Sequence, residues 1–157
     1  MKAKSPQVVD LLNEVLTAEL TAINQYFLHA KMMKHWGFER IAAKIRKESI
    51  DEMRHADMLT DRILLLEGLP NYQRLNTLGI GESVEDQLRS DLQLEYTMVD
   101  RLNLGIAMAV AEGDHGTRAL LERILVSEDE HIDWLESQLE AIKLVGIQNY
   151  LSEQLRE

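Results

Sequence analysis

The 157-residue chain has no cysteine, which excludes disulfides, thiolate zinc sites, cysteine-ligated iron–sulfur clusters and covalent haem attachment. Proline occurs only at Pro6 and Pro70, aromatics make up 5% of the residues, and Leu, Ala, Glu and Ile dominate. Such a composition is poor in the β-branched and aromatic residues that strands favour and rich in helix formers, so a nearly all-α fold is expected. No apolar run approaches the roughly 20 residues of a membrane span. The opening stretch MKAKSPQVVD lacks the apolar core of a signal peptide. Secretion and membrane insertion are therefore unsupported, and the cytoplasm is the expected location. A formal charge of −10 disfavours nucleic acid as a partner and favours cations. The length suits a single domain, 1–157.

Helix signals divide the chain into four long segments and a tail. Ser5-Pro6 reads as an N-cap followed by a first-turn proline, and Leu12, Val15, Leu16, Ile23 and Tyr26 carry an apolar stripe to about His35, where Gly37 can turn the chain. A second pattern, Ile41, Ile45, Leu59, Ile63 and Leu66, runs from about Glu39 to Glu67 and stops at Gly68 and Pro70. Ser83, with Asp86 three residues on, starts a third helix that continues to about Glu112. After the break at Gly113 and Gly116 a fourth runs through Leu121, Ile124, Leu135 and Leu139 to about Val145. Beyond Gly146, the residues Ile147, Tyr150, Leu151 and Leu155 suit a short fifth helix.

Short breaks make the first two and last two long helices antiparallel hairpins. Pro70 to Ser83 is different: fourteen mostly irregular residues. Extended, they reach roughly 46 Å at about 3.3 Å per residue. A helix of about 29 residues is ~44 Å long. The match predicts a crossover along the bundle, leaving helices two and three parallel.

Stepping by three or four residues, each apolar stripe meets ionisable groups at mid-helix: Glu19 on the first, Glu48, Glu52 and His55 on the second, Glu95 on the third, Glu128 and His131 on the fourth. Each of Glu19, Glu52/His55, Glu95 and Glu128/His131 lies within about a turn of its helix midpoint, so in a bundle they share one layer. Four carboxylates in an apolar interior must be protonated or surround cations, and two divalent ions would balance them. Glu52-x-x-His55 and Glu128-x-x-His131 place a carboxylate and an imidazole one turn apart on two helices, while Glu19 and Glu95 supply one carboxylate from each of the others. That is the ligand pattern of carboxylate di-iron bundles. A third match, Glu112 to His115, straddles Gly113 at a helix end and is read as chance.

The stretches AELTAINQYFLHA around Glu19, ESIDEMRHAD around Glu52, ILLLEGLPN, SEDEHIDWLE around Glu128 and GIQNYL resemble those of bacterioferritins, and the likeness covers essentially the whole chain. The resemblance implies a ferritin-like four-helix bundle with a long crossover and a short C-terminal helix, a 24-subunit homo-oligomeric shell, an intrasubunit ferroxidase centre, and haem b between two subunits. It also implies that Met53 is the axial ligand of the haem iron. One residue past Glu52, Met53 is rotated by about 100° off the inward face; on chemistry alone a packing role would be expected. Some members carry a His at the position of Lys47, part of an extra iron site on the cavity surface with an Asp matching Asp51; a lysine ammonium is a poor ligand, which puts that inner site in doubt here.

The resulting expectation is an iron-storage ferroxidase. Glu52 and Glu128 would bridge two ferrous ions, Glu19 and His55 completing one shell and Glu95 and His131 the other, with oxygen or peroxide taking one electron from each ion. A small ferredoxin is the implied reductant for iron release. The alternatives are a non-storage di-iron oxidase or peroxidase, against which the short tail after Gly146 speaks, and a haem electron-transfer or interaction bundle. Tyr26 is read as a packed core residue near the centre, and Trp36 and Trp134 as packing residues.

Overall fold

The computed structural model of the protein describes residues 1–3 and 5–156. Four long helices and a short one follow in the order α1 (Pro6–His35), α2 (Glu39–Leu65), α3 (Val84–Ala111), α4 (His115–Val145) and α5 (Ile147–Ser152). The fold is a ferritin-like four-helix bundle. No helix among the described residues is long and apolar enough to cross a membrane.

Helix boundaries follow local chemistry. Ser83 caps α3 by accepting from the Asp86 amide at 3.2 Å, and Asp114 caps α4 by accepting from the Thr117 amide at 3.0 Å. Ser5 occupies the N-cap position of α1, but its hydroxyl makes no capping bond; the first turn is held by Pro6 and by the Val8 amide donating to the Ser5 carbonyl at 3.2 Å. The left-handed residue at the end of α2 is Glu67, at φ 62°, not Gly68. Gly68 donates back to the Ile63 carbonyl at 2.9 Å. Glycine is needed at position 68 for space: a Cβ there would lie 2.6 Å from Val9 Cγ1 on α1.

Side-chain contacts fix the helix directions. Arg101 reaches the Glu14 carbonyl, while Tyr26 reaches Glu95, so α1 and α3 run antiparallel. Glu52 meets His131, and Arg62 meets Asp114, so α2 and α4 do as well. Ser49 bonds the Ile23 carbonyl, while Gly68 lies on Val9, making α1 and α2 antiparallel. Helices α2 and α3 are therefore parallel, as the crossover length predicts.

The crossover is laid along α1 by a row of polar side chains spaced by four or eight residues. Asn13 accepts from the Asn71 amide and donates to the Leu69 carbonyl, Thr21 accepts from Asn76, Gln25 from Gly79 and His29 from Gly81, all within 2.8–3.1 Å. Backbone donors with no secondary-structure partner are satisfied in this way. Because His29 Nε2 accepts, its proton sits on Nδ1, where it is donated to buried Asp91 of α3 at 2.8 Å.

The apolar interior has two halves. One contains Val8 to Ala18 of α1, Ala56 to Leu66, Met98 and Leu102, and Leu121 and Ile124. The other contains Ala22 to Met33, Ile41 to Ile45, Val84 and Leu88, Leu135 and Ile142, and Tyr150 of α5. In each long helix, the residues separating these halves are those whose side chains make up the polar layer. Trp36 is the C-cap residue of α1 and is 37% exposed.

Candidate metal centre

Helix period brings the charged layer together. Glu19 comes from α1, Glu52 and His55 from successive turns of α2, Glu95 from α3, and Glu128 and His131 from successive turns of α4. All six are buried, and Glu19, Glu52 and Glu128 have no exposed surface. His55 Nδ1 lies 3.0 Å from Glu128 Oε1, 3.3 Å from Glu52 Oε2 and 3.4 Å from Glu19 Oε1. Across the layer, His131 Nδ1 lies 2.9 Å from Glu52 Oε1, 3.5 Å from Glu95 Oε1 and 3.8 Å from Glu128 Oε1. Two overlapping sets follow: Glu19, Glu52, His55 and Glu128, and Glu52, Glu95, Glu128 and His131, each with one ligand atom per residue within 4.8 Å of the others. Glu52 and Glu128 belong to both.

The electrostatics of these side chains are those of groups competing for too few positive charges. Burial raises Glu19 well above the usual carboxyl range, and the charges of Glu52 and Glu128 raise it further. Glu95 is raised by burial and by Glu128, and Glu128 by burial and by Glu52. Burial and the charge of Glu95 also raise Glu52, but its close contacts with Glu19, His131 and His55 bring it below its ordinary value. For the imidazoles burial works downward and is outweighed: contacts with Glu128, Glu19 and Glu52 push His55 up to about 12, and Glu48, Glu52 and Glu95 raise His131 strongly. Both oxygens of Glu19 and of Glu128, Glu52 Oε1 and Glu95 Oε2 are buried without a hydrogen-bond partner. Six orphaned oxygens and two imidazoles in a closed layer form a donor set suited to divalent transition-metal ions.

Several neighbours could not be singled out from spacing alone. The Tyr26 hydroxyl donates to Glu95 Oε1, so this core tyrosine is bonded to the layer as well as packed beside it. Glu48, one turn before Glu52, pairs through Oε2 with His131 Nε2 and through Oε1 with Lys44 Nζ at 2.8 Å. Lys44 sits over the Trp134 ring, 5.2 Å from its centroid. Trp134 thus does more than pack. Asp51 Oδ2 lies 3.8 Å from His131 Nε2, and Lys47 lies 3.5 Å from Asp51, so a cation already faces the carboxylate of the doubtful inner site. The signals for Glu48 in the chain are its place on the inward stripe, one turn before Glu52, and the preceding Lys44.

Met53 faces away from the layer and is 55% exposed. It lies where two adjoining cavities of about 650 and 320 Å³ meet, their shared walls including Ile23 and Ile50, with Leu20 and Phe27 beyond and Arg46 and Arg54 at the edges. A soft thioether on an apolar wall flanked by cations suits one half of a haem site. His115, of the chance match, lies at the first turn of α4, outside both ligand sets.

A model of the ferritin-like domain matches residues 9–145. The chain is 54% identical over 145 residues to a bacterioferritin of Mycobacterium bovis, covering 92% of this chain and 91% of that one. It is 52% identical over 147 residues to a bacterioferritin of Streptomyces coelicolor, with 94% and 88% covered. A bacterioferritin of Brucella melitensis is 40% identical over 145 residues, with 92% and 90% covered. With this coverage on a ferritin-like bundle, the chain belongs to the bacterioferritins.

Proposed function

We propose that the protein stores iron by oxidising it at the buried layer. The observation that carries this reading is the pair of four-residue ligand sets sharing Glu52 and Glu128. Ferrous iron is the substrate: one ion takes Glu19 and His55, the other Glu95 and His131, and the shared carboxylates bridge. Ion binding requires bare imidazole nitrogens and ionised carboxylates, so the protons on His55 and His131, and any on Glu19 and Glu95, must leave as the ions enter. Each ferrous ion then gives one electron. Two electrons and two protons convert oxygen to hydrogen peroxide, or peroxide to two waters. Tyr26 holds Glu95 by its hydroxyl and keeps that carboxylate oriented.

The ferric product is stored inside a shell of 24 copies, in the cytoplasm. Met53, from each of two subunits, would hold haem b over the apolar wall of Ile23, Ile50 and Phe27, and bound haem supplies a one-electron path for returning stored iron to the ferrous state, with a small ferredoxin as electron source. Size-exclusion chromatography after aerobic ferrous loading tests the reading. A very large assembly that keeps thousands of iron atoms is expected, whereas a small species that oxidises iron without retaining it would indicate the non-storage oxidase.

A further inference from the structure

Each imidazole of the layer has two nitrogens, and the surroundings treat His55 and His131 differently. His55 belongs to one cluster of potential ligands, all approached through Nδ1. His131 belongs to two. Its Nδ1 faces Glu52, Glu95 and Glu128, while its Nε2 faces Glu48 and, at 3.8 Å, Asp51. Glu48 is 4% exposed, so a carboxylate is held in a near-dry position behind the ring. It is itself anchored, because Lys44 pairs with its other oxygen at 2.8 Å while resting on the face of Trp134 three residues beyond His131. The chain Lys44, Glu48, His131 thus starts at a half-exposed ammonium and ends at the ligand layer.

We infer that Glu48 is a positioning residue for the second metal ion: it fixes the ring angle and tautomer of His131 so that Nδ1 is presented to the ion bound by Glu95. With the proton on Nε2 donated to Glu48, Nδ1 is bare and its lone pair is directed into the layer. A carboxylate behind a ligating imidazole also raises its basicity and its affinity for a metal ion. Among the described residues no equivalent carboxylate cluster backs His55, so the two ion positions are unequal by construction. This inference rests on the di-iron reading.

The test uses the full-length assembled protein, stripped of iron and titrated anaerobically with Co²⁺, whose visible bands report ligand geometry. Wild type is expected to take two Co²⁺ per subunit. Glu48→Ala should still take two, with one of them bound about 10- to 100-fold more weakly and with altered bands, and the other unchanged. Glu48→Gln keeps an acceptor for Nε2–H and should fall between wild type and Glu48→Ala. Lys44→Met, which leaves the layer intact, should weaken the same ion by a smaller factor, and carries the test if Glu48→Ala does not fold. Two Co²⁺ ions with wild-type affinities and bands in the folded variants would overturn the inference. So would a third Co²⁺ in wild type that Glu48→Ala removes while leaving the other two unchanged, since Glu48 would then be a ligand in its own right. A wild-type protein that takes fewer than two Co²⁺ would instead strike down the di-iron reading itself, and this inference with it.

Discussion

Loading the layer with two divalent ions should expel two to four protons per subunit at pH 7. His55, pushed up to about 12, and His131, also strongly raised, each carry a proton that a metal ion must displace. Glu19 and Glu95, raised well above the usual range by burial and by neighbouring carboxylates, supply up to two more. The sign is fixed: protons and metal ions compete for the same atoms, so affinity falls as pH falls. At about 1.36 kcal/mol per proton per pH unit, the pair should weaken by about 2.7 to 5.4 kcal/mol for each unit of acidification. Zn²⁺ added to the stripped protein in weak buffer, with the pH held by titrant, counts the protons directly. Release of fewer than two protons per ion pair would refute the electrostatic account of the layer. Ferrous oxidation should decline in parallel, and activity flat down to about pH 4 would contradict carboxylate ligation.

Met53→Leu, at a half-exposed position, should stay within about 1.5 kcal/mol of wild-type stability and oxidise ferrous iron normally, but lack a Soret band and release stored iron slowly; retention of haem would return Met53 to a packing role. Burial raises Asp114, but hydrogen bonds from Thr117 and the Arg62 charge, 2.7 Å away, lower it overall, so its contribution to stability is present above the unfolded value and lost as pH falls through the folded one. Asp114→Asn keeps a cap and should cost about 1 to 2 kcal/mol at pH 7 by denaturant unfolding, a difference that should shrink as pH falls through the lowered folded pKa of Asp114. Gly81→Ala would put a Cβ 2.5 Å from the Gln87 amide nitrogen, in backbone that cannot move aside cheaply, and should lower stability by about 1 to 3 kcal/mol; an unchanged midpoint would mean that the crossover is not held as described.

The helices and their inward stripe could be read in the chain because both follow one period, and a charged residue on an apolar stripe stands out. Glu48 did not stand out, since it is one more carboxylate on that stripe and its distinction is a partner on α4. The row Asn13, Thr21, Gln25 and His29 looks in sequence like a solvated face; only the path of the crossover turns it into a set of backbone partners. Ser5 has the right residue type and position for a cap yet forms no capping bond, and the left-handed residue at the end of α2 is Glu67, beside the glycine at which the helix pattern stops. The space between Gly68 and Val9 is a property of two helices and is written in neither alone.

Rapid mixing of ferrous iron with oxygenated protein, followed by absorbance as the iron-to-subunit ratio is raised, tests the central claim most directly. The account predicts a fast phase that saturates at two iron ions per subunit, the number the two ligand sets can hold, and that disappears in Glu128→Ala while the assembly elutes unchanged. A fast phase that persists at the wild-type rate in Glu128→Ala, or that shows no break at two ions per subunit, would contradict it.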